Sequence, residues 1–306
     1  MALPTHASTL ERVWHYTYLV ICALIFLFLI APILIVIPLS FNAEPYFTFT
    51  EKMLKFDPTG YSTRWYDLLL TFGMTDPEAA RDSSWWADAW ENSNWINATK
   101  NSVIIGFFST ILATSLGTLA ALGLSRPEMP GRRIIMAILI SPMIVPIIIT
   151  ATGLFFFYSA INIQNWGIPY LGVILAHATL GIPFVIITVT ATLVGFDHSL
   201  TRAAANMGAS PSRTFFKVQM PLILPGVISG ALFAFVTSFD EVVVVLFVGG
   251  LDEQTIPRQM WNGIREQISP AILSVATILV IISIALLTVV ELLRRRSERL
   301  RGMSPT

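Results

Sequence analysis

The sequence predicts an all-α, polytopic membrane protein with six transmembrane helices. Hydrophobic residues make up 54% of its 306 positions and charged residues only 12%. Soluble domains contain about 25% charged residues, so this chain has too little polar surface to face water on every side. Its mean hydropathy is +0.69. Because backbone polar groups inside hydrocarbon must bond within their own segment, we expect the apolar stretches to be helices.

Six apolar stretches are long enough to cross a hydrocarbon layer of about 30 Å, which takes about 20 helical residues. They cover residues 17–40, 101–124, 134–160, 170–195, 222–248 and 271–293, and together they form a transmembrane domain over residues 17–293. Pro142, Pro146 and Pro183 lie inside these stretches and predict kinks. A short segment, residues 1–16, precedes the domain, and a basic tail, residues 294–306, follows it.

The distribution of basic residues predicts which side of the membrane each loop faces. With a cytoplasmic N-terminus, twelve of the nineteen Lys and Arg residues fall in cytoplasmic segments and seven fall outside. Five of those seven lie in one long loop, residues 41–100, where basic residues have little influence on orientation. We therefore expect both termini in the cytoplasm and residues 41–100, here called the first loop, in the periplasm.

Several function classes are disfavoured by the composition. The formal net charge of zero argues against a nucleic-acid partner. The single cysteine, Cys22, permits no disulfide within the chain and indicates no thiolate metal site. The four histidines lack metal-ligand spacing, and no Gly-rich phosphate loop ending in Lys and Ser or Thr is present. We expect no catalytic residue, no metal and no cofactor in this chain, which is not expected to be an enzyme.

The most distinctive polar segment lies between the fourth and fifth apolar stretches. Residues 200–207 favour a short helix that ends at Gly208, a natural left-handed cap. Ser210 and Pro211 then favour a new helix, as its N-cap and its first helical residue. Residues 197–221, here called the signature loop, are thus expected to contain a helix, a tight turn and a second helix start.

The signature loop resembles that of ABC-importer permeases, the membrane subunits that dock onto separate ATPase subunits. The family pattern is Glu-Ala-Ala, three residues, Gly, nine residues and Ile-x-Leu-Pro. It is matched at the same spacing by Ala203, Ala204, Gly208, Val218, Met220 and Pro221. Arg202 stands where the family usually has Glu, which puts the usual salt bridge to the ATPase in doubt.

The resemblance implies the type I ABC-importer permease fold, with a cytoplasmic coupling helix that converts ATPase closure into helix movement. Small residues allow such a helix to approach the ATPase groove, and Phe215 either packs the loop against the helix ends or fills the groove. The residues expected to mediate this coupling are Arg202, Ala203, Ala204, Gly208, Ala209, Ser210, Phe215 and Pro221. ATP and magnesium are expected on the partner ATPase, and its groove is expected to be acidic or neutral opposite Arg202.

The first loop is long, acidic and aromatic. It holds nine acidic residues against five basic ones, together with five tryptophans. Residues 76–80 are typical of a helix start, and residues 83–95 predict an amphipathic helix. Two interpretations stand side by side: the helix lies on the membrane surface with its tryptophans among the headgroups, or the loop is a platform for an extracytoplasmic binding protein.

The strongest signal inside an apolar stretch is the sequence Ser238-Phe239-Asp240-Glu241. A carboxylate at the centre of a membrane helix costs about 3 kcal/mol even on permissive scales, so both acids should face water, a partner or a cationic substrate. Adjacent helical positions point about 100° apart, which separates the two roles. In the ABC-importer permease family that the sequence resembles, polyamine permeases carry two acids at these two positions, and anion permeases often carry Gly-Glu. This implies a structural role for Glu241 and substrate attraction by Asp240, while Thr237 and Ser238 either supply hydroxyl ligands or bond back to their own helix.

Two further residues complete the predicted substrate path. Tyr158 ends the aromatic run 155–158, which forms either an outer gate or an anchor at the membrane interface. Trp261 lies in an outer loop, residues 249–269, that resembles the scoop-like loop of these importers. His177, inside the fourth stretch, is expected to form an interhelical hydrogen bond instead of binding a ligand.

The end of the sequence, from SFDEVVVVLFVGG to TIPRQMWNGIREQISPAILSVATIL, resembles the second permease of spermidine and putrescine importers. The implied complex contains this chain, a homologous second permease, an ATPase dimer and a periplasmic substrate-binding protein in a bacterial inner membrane. The implied substrate is a polyamine, carried by alternating access. A different small organic solute, such as an amino-acid derivative or opine, and an ATP-independent channel stay open as alternatives.

Overall fold

Helices account for the regular structure of the described chain. The structure is a computed structural model that describes residues 8–126, 128–197, 199–266 and 269–300. The one β-type pairing among these residues is an isolated bridge between Asn42 and Tyr61. The helices are α1 (Thr9–Leu39), α2 (Glu51–Leu54), α3 (Arg64–Thr71), α4 (Ser83–Asn92), α5 (Asn94–Leu124), α6 (Arg132–Ile144), α7 (Ile147–Ala160), α8 (Leu171–Val194), α9 (Ser199–Asn206), α10 (Pro211–Thr214), α11 (Met220–Asp240), α12 (Val243–Val248), α13 (Ile256–Glu266) and α14 (Ala271–Leu300).

The chain divides into two compact units, each with its own packing. One unit takes residues 1–77 and 263–306, and the other takes residues 78–262. In the first unit, α1 and α3 both pack against α14. The Ser274 hydroxyl of α14 donates a hydrogen bond to the Ser40 carbonyl, just past α1, at 3.3 Å.

The core of the second unit is a cluster of three helices, α5, α8 and α11. Glycines on the facing sides allow the helix backbones to approach closely. A Cβ atom added at Gly230 of α11 would stand 2.9 Å from the Val185 Cα of α8, and one at Gly117 of α5 would stand 2.6 Å from the Val185 Cβ. Side chains do not fit at these positions without a shift, so the three helices form one tightly packed body.

Four helical runs are individually long and apolar enough to cross a membrane: α1, α5, α8 and the continuous run Pro211–Asp240. The pair α6 and α7 qualifies only as one bent span, which gives a fifth. The sixth stretch lies in α14, a continuous helix over Ala271–Leu300, of which Ala271–Ala285 is the apolar part with described side chains. The prediction of an all-helical membrane protein is confirmed. The described residues show four or five spans, and the count of six stays a prediction.

The third predicted span, residues 134–160, is wrong as a single helix. The axes of α6 and α7 differ by 103° at Val145 and Pro146. Val145 has ψ 135° because a following proline ring disfavours the helical region, and Pro146 has no N–H to continue the hydrogen-bond ladder. The kink predicted at Pro146 is thus a sharp bend, whereas α8 continues through Pro183.

The fifth predicted span, residues 222–248, is also interrupted. α11 ends at Asp240, Glu241 is extended with ψ 126°, and α12 begins at Val243. The prediction that Asp240 and Glu241 lie on one continuous helix is therefore wrong.

The end of the first loop contains a break that was not predicted. α4 begins at Ser83 as expected but ends at Asn92, because Ser93 is extended and its hydroxyl caps α5. α5 accordingly begins at Asn94, well before the predicted start of the second span. The helix start predicted at residues 76–80 is wrong, since these residues form turns.

Candidate functional site

The signature loop folds locally as its sequence predicts. α9 ends at a left-handed Gly208, with φ 81°, and the Ala209 N–H reaches back to the Ala204 carbonyl at 3.1 Å. This bond is the one that defines a Schellman motif, in which a residue in the left-handed conformation ends the helix. The Ser210 hydroxyl then accepts the Arg213 N–H at 3.4 Å and starts α10. Position 198 of this loop lies outside the described residues.

The surface of the signature loop is basic and mostly exposed. Arg202, Arg213 and Lys217 are all exposed, and the one acidic residue among the described residues of the loop is Asp197 at its start. Met207 is 87% exposed. A single exposed apolar side chain is ordinary on a protein surface, so the distinguishing feature of this loop is its charge.

The predicted coupling residues divide between this surface and the core. Phe215 is half-buried and packs against a cluster of buried side chains that includes Leu193 and Ile223. Ala204 and Ala209 are also half-buried, and the exposed members are Arg202, Ala203, Gly208, Ser210 and Pro221. The loop is therefore fixed to the helix ends through Phe215, while its other face is open.

A π-helical turn, Phe215–Gln219, joins the signature loop to α11, with the Met220 N–H bonded to the Phe215 carbonyl. π turns inside helices recur at functional sites. The helix is continuous over the 30 residues Pro211–Asp240. At about 1.5 Å per residue its two ends are about 45 Å apart, so the signature loop and the predicted substrate residues form two separate sites.

The far end of that helix carries the predicted polar residues. Glu241 is 9% exposed, and its Oε1 accepts the Val244 N–H at 2.9 Å. The Glu241 carboxylate thus caps the start of α12 across the helix interruption, and no bond from it to a neighbouring packed helix is seen in the described chain. Asp240 is exposed and Thr237 is half-buried.

Ser238 and His177 are joined inside the three-helix cluster. His177 Nδ1 lies 2.8 Å from Ser238 Oγ, and Ser238 Oγ lies 2.9 Å from Ser109 Oγ of α5. The interhelical hydrogen bond predicted for His177 is therefore present. Sequence reasoning missed Ser109, because hydroxyl residues such as Thr110, Thr114 and Ser115 are frequent along α5 and nothing in the sequence distinguishes it from them.

The aromatic run that precedes residue 160 is split between core and surface. Tyr158 is 8% exposed and packs in a buried cluster with Val173 and Val248. It also lines a cavity of about 240 Å³. Phe155, Phe156 and Phe157 are exposed, as lipid-facing side chains are.

A hydrogen-bond network that sequence reasoning missed holds the start of the outer loop. The Glu253 carboxylate accepts the backbone N–H groups of Gly250 and Tyr170 at 2.9 and 3.0 Å. The Tyr170 hydroxyl donates to Asn101 Oδ1 at 2.9 Å, and Asn101 Nδ2 donates to the Asp252 carbonyl at 2.8 Å. The loop is thereby tied to the first turns of α5 and α8.

Arg258 adds a second set of bonds to the same loop. Its guanidinium donates to the carbonyls of Gly249 and Gly250 at 3.2 and 2.8 Å. Burial lowers the pKa of Arg258 from its usual value, and the nearby Glu253 carboxylate opposes that shift. Trp261, further along α13, is 44% exposed.

These features describe an integral membrane protein with an exposed polar loop and an interrupted apolar helix. Residues 113–301 match the family described as the binding-protein-dependent transport system inner membrane component. The match covers more than half of the chain, and this protein belongs to that family. It is a transport permease subunit and not an enzyme.

Two curated relatives and one solved structure are similar to most of the chain. The spermidine/putrescine transport system permease protein PotC of Haemophilus influenzae is 30% identical over 274 residues, which cover 90% of this chain and 95% of the relative. The putrescine transport system permease protein PotI of Escherichia coli (strain K12) is 30% identical over 265 residues, which cover 85% and 84%. A bacterial ABC transporter involved in the import of alginate has a TM-score of 0.58 at 16% identity, covering 95% of this chain and 99% of its own. This last likeness concerns the fold alone.

Proposed function

We propose that this chain is a permease subunit of an ATP-driven ABC importer that carries a polyamine, such as putrescine or spermidine, from the periplasm to the cytoplasm. The observation that carries the proposal is Asp240, an exposed carboxylate at the end of an interrupted apolar helix. An acid in such a place is costly and is kept where it meets water or a cation. The names of both permease relatives include putrescine, which supports the same substrate class.

The end of α11 adds to the attraction for a cation. The last carbonyl groups of a helix have no intrahelical partner and carry partial negative charge. Interrupted helices commonly place such ends at the binding sites of membrane transporters. An ammonium group of the substrate would bind between Asp240 and these carbonyls, with the Thr237 hydroxyl beside them. Tyr158 and Trp261 are proposed to border the outer part of the same path.

The signature loop is proposed to dock onto one subunit of an ATPase dimer. Its support is the exposure of the loop and its excess of basic side chains, with Arg202, Arg213 and Lys217 against one carboxylate, Asp197. An acidic groove on the ATPase would complement this surface, with one carboxylate opposite Arg202. ATP and magnesium would bind to the ATPase.

Transport is proposed to proceed by alternating access. A periplasmic binding protein would deliver the substrate to an outward-facing cavity between this chain and a homologous second permease, and ATP hydrolysis would return the pair to the inward-facing state. Such a cycle is driven only by a difference in the affinities of the two states for substrate and nucleotide.

The proposed topology has six crossings of a bacterial inner membrane and two cytoplasmic termini. The bent pair α6 and α7 would form the third crossing, α11 with α12 the fifth, and α14 the sixth. In a Cys22→Ser background, a membrane-impermeant maleimide added to intact spheroplasts should label Glu44→Cys in the first loop and leave Met207→Cys unlabelled. Labelling of Met207→Cys alone would show that the chain has the opposite orientation in the membrane.

Uptake of labelled putrescine by cells that contain the full complex tests the proposed substrate. Asp240→Asn should lower uptake about tenfold or more, the effect of losing a hydrogen bond to a charged group, while the complex still assembles. Glu44→Gln, which removes an exposed acid from the first loop, is the matched control and should stay within about twofold of wild type. Undiminished uptake by Asp240→Asn would remove Asp240 from the mechanism.

Two alternatives predict different observations. A permease for an amino-acid derivative or opine would have that solute, and no polyamine, bound to its cognate binding protein. An ATP-independent channel would purify without a stoichiometric nucleotide-binding partner and would conduct without ATP.

A further inference from the structure

A chain of three buried polar side chains crosses the three-helix cluster close to Asp240. His177 of α8, Ser238 of α11 and Ser109 of α5 are 1%, 5% and 1% exposed. The bond from His177 to Ser238, at 2.8 Å, joins α8 to α11. The bond from Ser238 to Ser109, at 2.9 Å, joins α11 to α5. Ser238 is therefore held from two sides at once.

The direction of the hydrogen atoms follows from the last member of this chain. Ser109 Oγ lies 2.6 Å from the Ile105 carbonyl oxygen, which can only accept, so the Ser109 hydroxyl donates there. Ser238 must then donate to Ser109, and its oxygen accepts the hydrogen bond from His177 Nδ1. A neutral His177 consequently carries its proton on Nδ1. Its Nε2 is bare and has no hydrogen-bond partner within the described part of the protein.

Ser238 is the last buried residue of α11. The previous one is Ala234, whose Cβ would be 3.0 Å from a Cβ added at Gly181 of α8. The next residue, Phe235, still packs against α5, with its ring 3.1 Å from a Cβ added at Gly106, so close packing fixes α11 up to Phe235. Beyond that residue, the two hydrogen bonds of Ser238 hold the final turn in place.

The position of Ser238 determines where Asp240 points. Two residues along an α-helix correspond to about 200° around its axis, so Asp240 faces away from α5 and α8 when Ser238 faces them. The exposures agree, because Ser238 is buried and Asp240 is exposed. Glu241 is fixed separately, through its bond to the Val244 N–H.

We propose that His177, Ser238 and Ser109 form a positioning device that sets the direction in which Asp240 presents its carboxylate to the substrate. This inference rests on the proposed role of Asp240. The three side chains act through the rotation of the final turn of α11 and do not themselves touch the substrate. Without them that turn is free to rotate or fray, and the loss falls on substrate affinity more than on turnover.

Kinetics of labelled putrescine uptake by the full complex test the device. Ser238→Ala should raise KM about fivefold, the factor that corresponds to one hydrogen bond of ordinary strength, with a much smaller change in the maximal rate. A loss of maximal rate of about the same factor, with an unchanged KM, would overturn the proposal.

Two substitutions of His177 form a matched pair. Asn places an amide N–H where Nδ1 stands and keeps the bond to Ser238, whereas Gln places its amide near the Nε2 position and loses that bond. We expect a KM near that of wild type for His177→Asn and a raised KM for His177→Gln. The opposite order would assign the function to the bare Nε2 and overturn the positioning device.

A double substitution separates positioning from a general loss of structure. In the Asp240→Asn background, Ser238→Ala should add nothing to KM, because no carboxylate remains to be directed. An equal effect of Ser238→Ala in both backgrounds would show that Ser238 acts without Asp240 and would contradict the inference. If Asp240→Asn alone leaves KM unchanged, the proposed substrate site fails first, and the positioning device fails with it.

Discussion

The two ends of the helical run Pro211–Asp240 are held in opposite ways. Next to its first end, the described residues between 199 and 213 include no buried side chain, and Arg202 and Met207 stand in the open. At its last end, Ser238 is buried and bonded, and Asp240 alone of the two neighbouring acids faces outward. The first end is the one that we propose offers a surface to another protein, whereas the last end is shaped by bonds within this chain.

This difference separates two tasks of a transport subunit. Substitutions at the exposed end should change the assembly of the complex, and substitutions at the bonded end should change the affinity for substrate. The closely packed middle of the helix, around Gly230, would transmit movement between them, since tightly packed elements move as units.

The largest expected effect is that of Gly230→Ala, which tests whether the middle of the helix is rigid. The added Cβ would stand 2.6 Å from Thr188 Oγ1 and 2.9 Å from the Val185 Cα. Overpacking of this kind destabilises a protein by about 1–3 kcal/mol. The Tm of the purified complex should fall, while Gly123→Ala, whose Cβ meets only the Met129 Sδ at 3.8 Å, should leave it unchanged. Equal Tm values for the two variants would contradict a rigid middle that links the two ends of the helix.

Arg202→Glu tests the exposed end and should have the next largest effect. Charge reversal against an acidic groove should weaken ATPase association about tenfold at low salt, with a smaller difference at high salt because screening reduces the repulsion. Co-purification with the ATPase over a series of salt concentrations measures this. Arg126→Glu, an exposed basic residue outside the signature loop, is the control. Unchanged or tighter assembly of Arg202→Glu would contradict an acidic groove.

Glu241→Ala tests the bonded end without touching Asp240. Loss of the carboxylate that caps α12 should cost about 1 kcal/mol, the usual value for a helix cap, and should lower the Tm of the complex slightly. Glu241→Gln keeps an acceptor for the Val244 N–H and should recover most of that stability. A Gln variant as unstable as the Ala variant would mean that the charge of Glu241, and not its hydrogen bond to Val244, stabilises the complex.

The smallest expected effect lies in the outer loop, away from both ends. Glu253→Ala removes the acceptor for two backbone N–H groups, those of Gly250 and Tyr170. Hydrogen exchange at these two amides should accelerate about fivefold, as expected for one ordinary hydrogen bond each, while exchange within α11 stays the same. Slow exchange at both amides in the variant would show that other contacts hold the loop.

The exposed end could be predicted from the sequence because its structure is local. Gly208 supplies the left-handed cap, Ser210 accepts a backbone N–H of the next turn, and Pro211 suits a first helical residue. Each of these effects depends on neighbours a few residues away. The family pattern includes one of these residues, Gly208, and otherwise depends on the spacing of Ala203, Ala204 and Pro221.

The bonded end could not be predicted in the same way. The interruption after Asp240 depends on a buried carboxylate bonded to Val244, which an apolar stretch with two acids does not reveal. The partners of Ser238 lie 61 and 129 residues away in the sequence, on two other helices. Such pairs depend on how helices pack, and hydrophobic patterns alone do not specify that.

The most direct measurement is uptake of labelled putrescine into proteoliposomes that contain the complete complex and its binding protein, with ATP supplied on the side of the signature loop. We predict saturable uptake that requires ATP and that falls when Arg202→Glu separates the ATPase from this chain. Two results would contradict the proposal that this chain imports polyamines with an ATPase bound at its signature loop. One is accumulation of putrescine that continues without the ATPase, and the other is ATP-driven uptake of another solute with polyamines excluded.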